Sequence, residues 1–278
     1  MNKRIGIVSK YDSEESIKVA RNLFTFLSQE DVELSIEQKI ADKIGKKGSK
    51  INELSHCDFI VTVGGDGTIL RTLQRLDKQT PIIGINTGEV GFLTKLEKQN
   101  YKEKLEELIR DFEVEERTRV GVEFKKTSEE NQRLSPAVNE VVIATSELAK
   151  LLKLRATLDG NEIERFRADG LVVATPTGST AYSMSAGGPI VDPKVEAFLL
   201  VPLAPYKLSA RPFVVPNKSE LEVELLRKGK KADVVIDGQK IKTIQEGDKI
   251  SFKESPDPAL FVKTEGADFY SKVREKLV

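Results

Sequence analysis

The sequence predicts two domains: an amino-terminal open parallel α/β sheet over residues 1–115, then a mainly-β, mostly antiparallel domain over 116–264. Three observations carry this expectation. The length of 278 residues is roughly two domains of ~150 residues. Through the first 115 residues, apolar runs alternate with helical patterns, the mark of βα units whose helices cover a parallel sheet. From about residue 116, short strand patterns follow one another, with Asp159-Gly160 and Asp237-Gly238 as two-residue hairpin signals.

In chain order, Arg4–Ser9 opens as a strand. Ser13 caps the next helix, with Ser16 as the alternative, and Ile17, Ala20, Leu23, Phe24 and Leu27 share one face at helical spacing. Val32–Ile36 is a second strand, and residues 37–55, polar and rich in Lys and Gly, read as a surface loop. Phe59–Val63 is a buried parallel-type strand. It runs into Gly64-Gly65-Asp66-Gly67, after which Thr68–Leu76 is helical. Pro81–Ile85 is another buried strand, closed by Asn86-Thr87-Gly88, and Lys98–Asp111 is a charged amphipathic helix.

In the second domain, strands are expected at Val120–Lys125, Val138–Ala144, Leu151–Leu158, Ile163–Arg167, Leu171–Ala174, Leu199–Pro202, Leu221–Leu226, Asp233–Ile236, Ile241–Ile244 and Lys249–Phe252. A helical piece, Ser179–Met184, interrupts them, and Ala267–Leu277 again has a helical pattern.

Composition removes several function classes. Lys+Arg and Asp+Glu both number 44, so there is no basic field to collect nucleic acid and no acidic bias towards disorder. No apolar run approaches the ~18 residues of a membrane span. The first residues, MNKRIGIVSKYDSEES, break into charge too early for a signal peptide, so a cytoplasmic protein is expected. A single Cys57 rules out an internal disulfide or a CxxC zinc site, and a single His56 argues against His-rich metal sites and His relays. These neighbours would point to opposite faces of an extended strand. Acid–base work then falls to Asp, Glu, Lys or Tyr.

Gly64-Gly65-Asp66-Gly67-Thr68 is the sharpest motif. A buried strand, then glycines, then a helix start presents backbone N–H groups to an anion. It is no P-loop, and it lacks the third glycine of a dinucleotide fingerprint, Leu70 standing there. Asp66 is repelled by polyphosphate unless it binds a metal ion or takes a proton from an attacking hydroxyl, and both uses belong to phosphoryl transfer. The plain alternative is a strand-to-helix turn with Asp66 as its cap. The glycine-rich loop 84–93, GINTGEVGFL, follows the next strand and should lie beside it. A second cluster, DGLVVATPTGSTAYSMSAGGPI at 169–190, delivers a hydroxyl-rich turn and a short helix start suited to phosphate or amide recognition. Asn139-Glu140 at a strand edge is unremarkable alone, and Asp237-Gly238 is first of all a hairpin turn.

In combination, GGDGT (64–68), NTGEVGFL (86–93), NE (139–140) and the 169–190 segment resemble the NAD kinase family. APYKLSARPFVVP (204–216), DGQ (237–239) and DFYSKVREKL (268–277) extend the likeness over nearly the whole chain. The resemblance implies a β-sandwich-like second domain, an active site between the domains, and a terminal helix, 265–278, that packs back on the first. It implies transfer of a phosphoryl group from ATP, or polyphosphate in some members, to the adenosine-ribose 2′-hydroxyl of NAD, giving NADP. A divalent metal, Mg²⁺ in expectation, would assist, through ligands the sequence does not disclose. Asp66 matches the catalytic Asp. Substrate contacts fall on Gly64, Gly65, Gly67, Thr68, Arg71, Asn139, Glu140, Arg167, Asp169, Thr177, Thr180, Ala181, Tyr182, Ser183, Met184 and Ser185, and further on Lys150, Ala204 and Gln239. Family members are usually homodimers or homotetramers. Two rivals share the glycine loop: a lipid kinase of the diacylglycerol or sphingosine type, and a dinucleotide-binding regulator without catalysis. The missing basic amphipathic helix counts against the first, and Asp66 with Asn139-Glu140 against the second.

Overall fold

The structure, a computed structural model, describes residues 2–88, 91–126, 131–147, 150–226, 230–264 and 269–277. The chain forms two compact units, Met1–Glu116 with Ala259–Val278, and Arg117–Pro258.

The first unit contains β1 (Lys3–Ser9), α1 (Glu14–Leu27), β2 (Val32–Ile36), α2 (Gln38–Ile44), β3 (Phe59–Gly64), α3 (Asp66–Leu73), β4 (Ile82–Asn86), β5 (Leu96–Glu97), α4 (Tyr101–Arg110) and β6 (Val114–Arg117). The chain returns to it with Ala259–Val262 and Phe269–Leu277, which are β19 and α6 in chain order. The sheet runs β2-β1-β3-β4-β19-β6, with β5 pairing β4. The pairs β1–β2, β1–β3, β3–β4, β4–β5 and β4–β19 are parallel. Ser13 caps α1 as expected, its side chain accepting the N–H of Ser16 at 3.3 Å. Val19, Ala20, Leu23 and Leu27 are buried against Ile5, Ile7, Val61 and Val63, with Ile17 and Phe24 packing at the margin. Each fully buried aliphatic or Phe side chain in such a layer contributes roughly 1.5–3 kcal/mol.

The second unit holds two six-stranded sheets. Its elements are β7 (Val120–Lys125), β8 (Gln132–Ala137), β9 (Glu140–Thr145), β10 (Leu152–Leu158), β11 (Asn161–Ala168), β12 (Gly170–Ala174), α5 (Tyr182–Ser185), β13 (Ala197–Leu203), β14 (Phe213–Pro216), β15 (Leu221–Leu225), β16 (Lys231–Ile236), β17 (Gln239–Gln245) and β18 (Lys249–Glu254). One sheet is β11-β10-β15-β18-β7-β8 and the other β14-β13-β12-β9-β16-β17. Their facing sides share one apolar core, with Val122, Leu154, Val223 and Phe252 from the first and Val141, Leu171, Phe198 and Val234 from the second. Phe166 and Phe213, one from each sheet, meet edge to face at 6.4 Å. The unit is a sandwich because strands such as β7 and β15 alternate buried and half-exposed residues, so each sheet has one apolar face to cover. Both Asp-Gly hairpins form: Asp159 and Gly160 have φ +49° and +80°, Asp237 and Gly238 +44° and +78°, as a two-residue turn requires.

Some expectations change. Residues 37–55 are no loop: α2 buries Ile40 and Ala41, and a 3-10 turn at Ile51–His56 buries Ile51 and Leu54. These stretches are too short for their periodicity to stand out among the lysines. Strands β6 and β8 carry no apolar strand signal, because VEER and QRLSPA are polar and lie at sheet edges; Pro136 is tolerated there. The chain rejoins the first unit at Ala259, ahead of the 265 expected. ALFV has four residues and no neighbouring βα unit to announce it. Residues 267 and 268 of the terminal helical pattern lie outside the described residues. His56 and Cys57 close a 3-10 turn rather than lie on a strand, one exposed and the other buried. Burial pushes the Cys57 thiol up to about 11, so it is no nucleophile.

Candidate active site

In the first unit, β1, β3 and β4 end together, Ser9 in register with Val63 and Gly64 with Asn86. Ligands of open α/β sheets bind beyond such carboxyl ends. Gly64 closes β3, and its carbonyl accepts the N–H of Thr87 at 3.3 Å, joining the two glycine loops as expected. Gly65 caps α3 with no side chain in the way. At Gly65 and Gly67, no described atom lies within 4 Å of where a Cβ would stand. Protein packing therefore does not demand glycine at these positions, and their bareness keeps space open beside the helix start. Thr68 is buried, and its carbonyl accepts the Thr72 hydroxyl at 2.7 Å.

Asp66 turns towards the second glycine loop. Its Oδ2 accepts the N–H of Phe92 at 2.7 Å, and Oδ1 those of Leu93 at 3.0 Å and Thr94 at 3.2 Å. Gly91 permits this: a Cβ there would lie 2.2 Å from Asp66 Oδ1. Glu89 and Val90 of the same motif lie outside the described residues. Thr94 also accepts Lys272 Nζ of α6 at 2.8 Å through its carbonyl. Arg71 makes a two-pronged ion pair with buried Glu37, at 2.6 and 3.0 Å, and donates to the carbonyl of Ser9 at 2.9 Å. Its guanidinium lies 5.3 Å from the Tyr11 ring. Here it ties α3 to the end of β1.

In the second unit, Asn139-Glu140 and the 175–185 segment are interlocked. The Thr175 hydroxyl donates to the carbonyl of Val138 at 2.6 Å, and the Thr175 N–H to that of Asn139 at 2.9 Å. A Cβ on Gly178 would lie 2.0 Å from the Asn139 carbonyl, so only glycine allows this approach. Thr177 and Thr180 bound a buried 3-10 turn, Thr180 Oγ1 donating to the Thr177 carbonyl at 3.4 Å. Ala181 links it to α5, where Tyr182 and Ser185 are exposed, Met184 half-buried and Ser183 buried.

Glu140 accepts the backbone N–H of Tyr182. Its Oε2 and the Ser183 hydroxyl are buried with no hydrogen-bond partner, as groups awaiting a ligand would be. Burial pushes the Glu140 carboxyl up to about 7; the Asp237 charge adds to this and the Tyr182 N–H opposes it.

The remaining candidates are more open. Arg167 is exposed and stacks on Tyr206 at 4.7 Å. Asp169 is half-buried between β11 and β12, its carbonyl accepting the Thr145 N–H at 2.8 Å. Ala204 has φ +42°, a left-handed conformation that a non-glycine residue adopts at a cost of order 1–3 kcal/mol, and such strain clusters at functional sites. Lys150 is exposed and pairs with Glu147. Gln239 opens β17 just after the Asp237-Gly238 turn and is exposed. Sequence reasoning missed Asp237: its carboxylate accepts the N–H groups of Val138, Asn139 and Glu140. The Asp-Gly signal explained the turn so fully that a second role left no trace.

Known proteins add a separate line of observation. Residues 5–112 match the ATP-NAD kinase N-terminal domain and 138–264 the ATP-NAD kinase C-terminal domain. The chain is 48% identical over 280 residues to an NAD kinase of Methanothermobacter thermautotrophicus, covering 99% of this chain and 96% of that one. Among solved structures, it is similar to an NAD kinase from Archaeoglobus fulgidus in complex with ATP (TM-score 0.79, 35% identity, covering 99% and 97% of the two chains). It is also similar to yeast NADH kinase complexed with NADH (TM-score 0.92, 26% identity, covering 99% and 87%).

Proposed function

The chain belongs to the NAD kinase family, and from that premise we propose how its own residues serve the reaction. The enzyme phosphorylates the adenosine-ribose 2′-hydroxyl of NAD to give NADP, with ATP as phosphoryl donor. The observation that carries the assignment of roles is the Asp66 carboxylate. It has about four acceptor positions, of which three are filled by the N–H groups of Phe92, Leu93 and Thr94. The position left over accepts the 2′-hydroxyl, orients it, and receives its proton as the phosphoryl group arrives. The open space at Gly65 and Gly67 takes phosphates against the start of α3. Phosphoryl transfer asks mostly for such positioning and for charge stabilisation.

Glu140 Oε2 and the Ser183 hydroxyl, buried and unpartnered, are the dinucleotide's polar contacts in the second unit. Arg167, exposed beside Tyr206, supplies a guanidinium for the new phosphate. A divalent ion, expected to be Mg²⁺, supplies neutralisation of phosphate charge when bound. Among the described residues no three His, Cys, Asp or Glu side chains converge. Such an ion would be held chiefly by the substrate's phosphates and would offset their charge there.

No helix among the described residues is long and apolar enough to cross a membrane. A cytoplasmic homodimer or homotetramer is the proposed state. Tyr206, Leu208 (94% exposed) and Val214 support self-association, as apolar side chains that a second copy would cover. Light scattering after size exclusion reads that mass. The activity is tested by incubation with NAD, ATP and Mg²⁺ and detection with an NADP-specific dehydrogenase, with polyphosphate replacing ATP in a second arm. Absence of NADP in both arms would overturn the reading.

A further inference from the structure

A two-residue hairpin turn asks of its first residue only a positive φ, and an Asp there ordinarily faces water. Asp237 is instead 8% exposed. Its Oδ2 accepts the N–H of Val138 at 2.8 Å, and its Oδ1 those of Asn139 at 2.8 Å and Glu140 at 3.2 Å. Its own N–H donates to the Glu140 carbonyl at 3.0 Å. One turn residue thus makes four hydrogen bonds to the three residues that carry the Asn-Glu pair. Beside it stands Arg119, 3% exposed, whose guanidinium donates to the Pro136 carbonyl at 3.0 Å. Burial pulls the Arg119 pKa down, and the negative charges of Asp237 and Asp257 oppose that. An Asp buried this deeply needs its charge compensated, and here three backbone N–H groups and the nearby Arg119 charge do so.

We propose that Asp237 is a positioning residue for the dinucleotide site: it fixes the backbone of residues 138–140 and places a negative charge beside the Glu140 carboxyl, with buried Arg119 as its counter-charge. This rests on the reading of Asn139 and Glu140 as dinucleotide contacts. The groups that act on the Glu140 charge are Asp237, from the β16–β17 turn, and the Tyr182 N–H, from α5. The like charge of Asp237 favours the protonated form of Glu140, and the N–H favours the ionised form. Asp237 therefore helps to decide the pH at which Glu140 changes from hydrogen-bond donor to acceptor towards NAD.

The experiment is NAD binding by calorimetry from pH 5 to 9 for the full chain and for Asp237→Asn, Asp237→Glu and Glu140→Gln, each checked for folding by circular dichroism. Wild type should show a transition in affinity near neutral pH, and Glu140→Gln should lack it. In Asp237→Asn the transition should move to lower pH by ~1 unit, because the like charge is gone. Affinity should also fall about tenfold, because the new amide faces a backbone N–H. A merely structural turn would not move the transition, so an unmoved transition in folded Asp237→Asn overturns the proposal. If Asp237→Asn does not fold, Asp237→Glu decides: it keeps the charge and displaces the oxygens, so weaker binding with an unmoved transition is expected, and wild-type affinity overturns the proposal. A transition that persists in Glu140→Gln instead refutes the placing of Glu140 against NAD, and the assignment of Asp237 falls with it.

Discussion

The N–H of Phe92 donates to the Asp66 carboxylate at 2.7 Å, so the acid of the first glycine loop is held in place by the backbone of the second. The residue expected to act on the hydroxyl is also the residue that fixes loop 91–94. Chemistry and local order therefore meet in one side chain.

Asp66→Asn tests this directly. It should lower kcat by about 10²–10⁴, the usual share of a general base, with little change in NAD affinity. The amide also turns a donor towards one of the three N–H groups, which should cost about 1–3 kcal/mol in a urea melt. Steady-state assays that return wild-type kcat would take Asp66 out of the mechanism.

Glycines of the two loops should respond in opposite ways. A methyl at Gly67 meets open space in the first turn of α3, where Ala is favoured over Gly by roughly 0.5–1 kcal/mol. Gly67→Ala should keep or raise Tm and yet raise KM, because the methyl takes the phosphates' room. A methyl at Gly91 would lie 2.2 Å from Asp66 Oδ1 and 2.5 Å from Thr94 Oγ1. Gly91→Ala should lose about 10² in kcat, the effect of a misplacement near 1 Å. Calorimetric melts and steady-state kinetics read both, and equal behaviour of the two variants would contradict these roles.

That contrast marks what the sequence made legible. The Gly64–Thr68 and Asn86–Gly91 loops could be placed side by side because each follows a fully buried strand, and strand order in a parallel sheet carries loops to one edge. The bonds between them could not be read, because GGDGT says nothing of where the Asp66 side chain turns. In the second unit the succession of short strand patterns and the two Asp-Gly signals foretold antiparallel sheets. The edge strands β6 and β8 leave no apolar pattern in the sequence, because their residues are polar. The sequence offers Arg71 to a ligand. Its partner Glu37 stood in a stretch read as loop, which hid the ion pair between them. Asp237 was legible as a turn and illegible as the support of Asn139-Glu140, a contact across 98 residues of chain.

The acceptor hydroxyl gives a further prediction. An acid gripping the ribose of an ordinary dinucleotide fold stands about 20 residues beyond the glycines. Here Asp66 stands within them, with one acceptor position left for a hydroxyl. The 2′-deoxy analogue of NAD should bind, weaker by about 1–3 kcal/mol, and stay unphosphorylated with ATP and Mg²⁺. Mass spectrometry that finds phosphate on the analogue at the rate of NAD would place the chemistry on another hydroxyl.

Glu140 yields the last prediction, through the linkage of protonation to folding. Its carboxyl is raised from 4.5 to about 7 by burial first and the Asp237 charge second. A raised carboxyl binds protons more tightly folded than unfolded, so its contribution to stability is full below the unfolded pKa of about 4.5 and is lost as pH rises to about 7. With the side chain 7% exposed, the loss above that window is on the order of 3 kcal/mol. Glu140→Gln has the same shape and cannot ionise, so it escapes the loss. Urea melts should therefore find it more stable than wild type at pH 8.5 by up to about 3 kcal/mol, and nearly equal at pH 4.5. The same variant should bind NAD less well, since the ionised Oε2 is the acceptor that the dinucleotide would use. A buried carboxylate that lowers stability once ionised fits the recurrent trade-off between stability and function. A stability difference that does not change between pH 4.5 and 8.5 would mean that Glu140 does not titrate in this range and that its burial is matched by a partner of another kind.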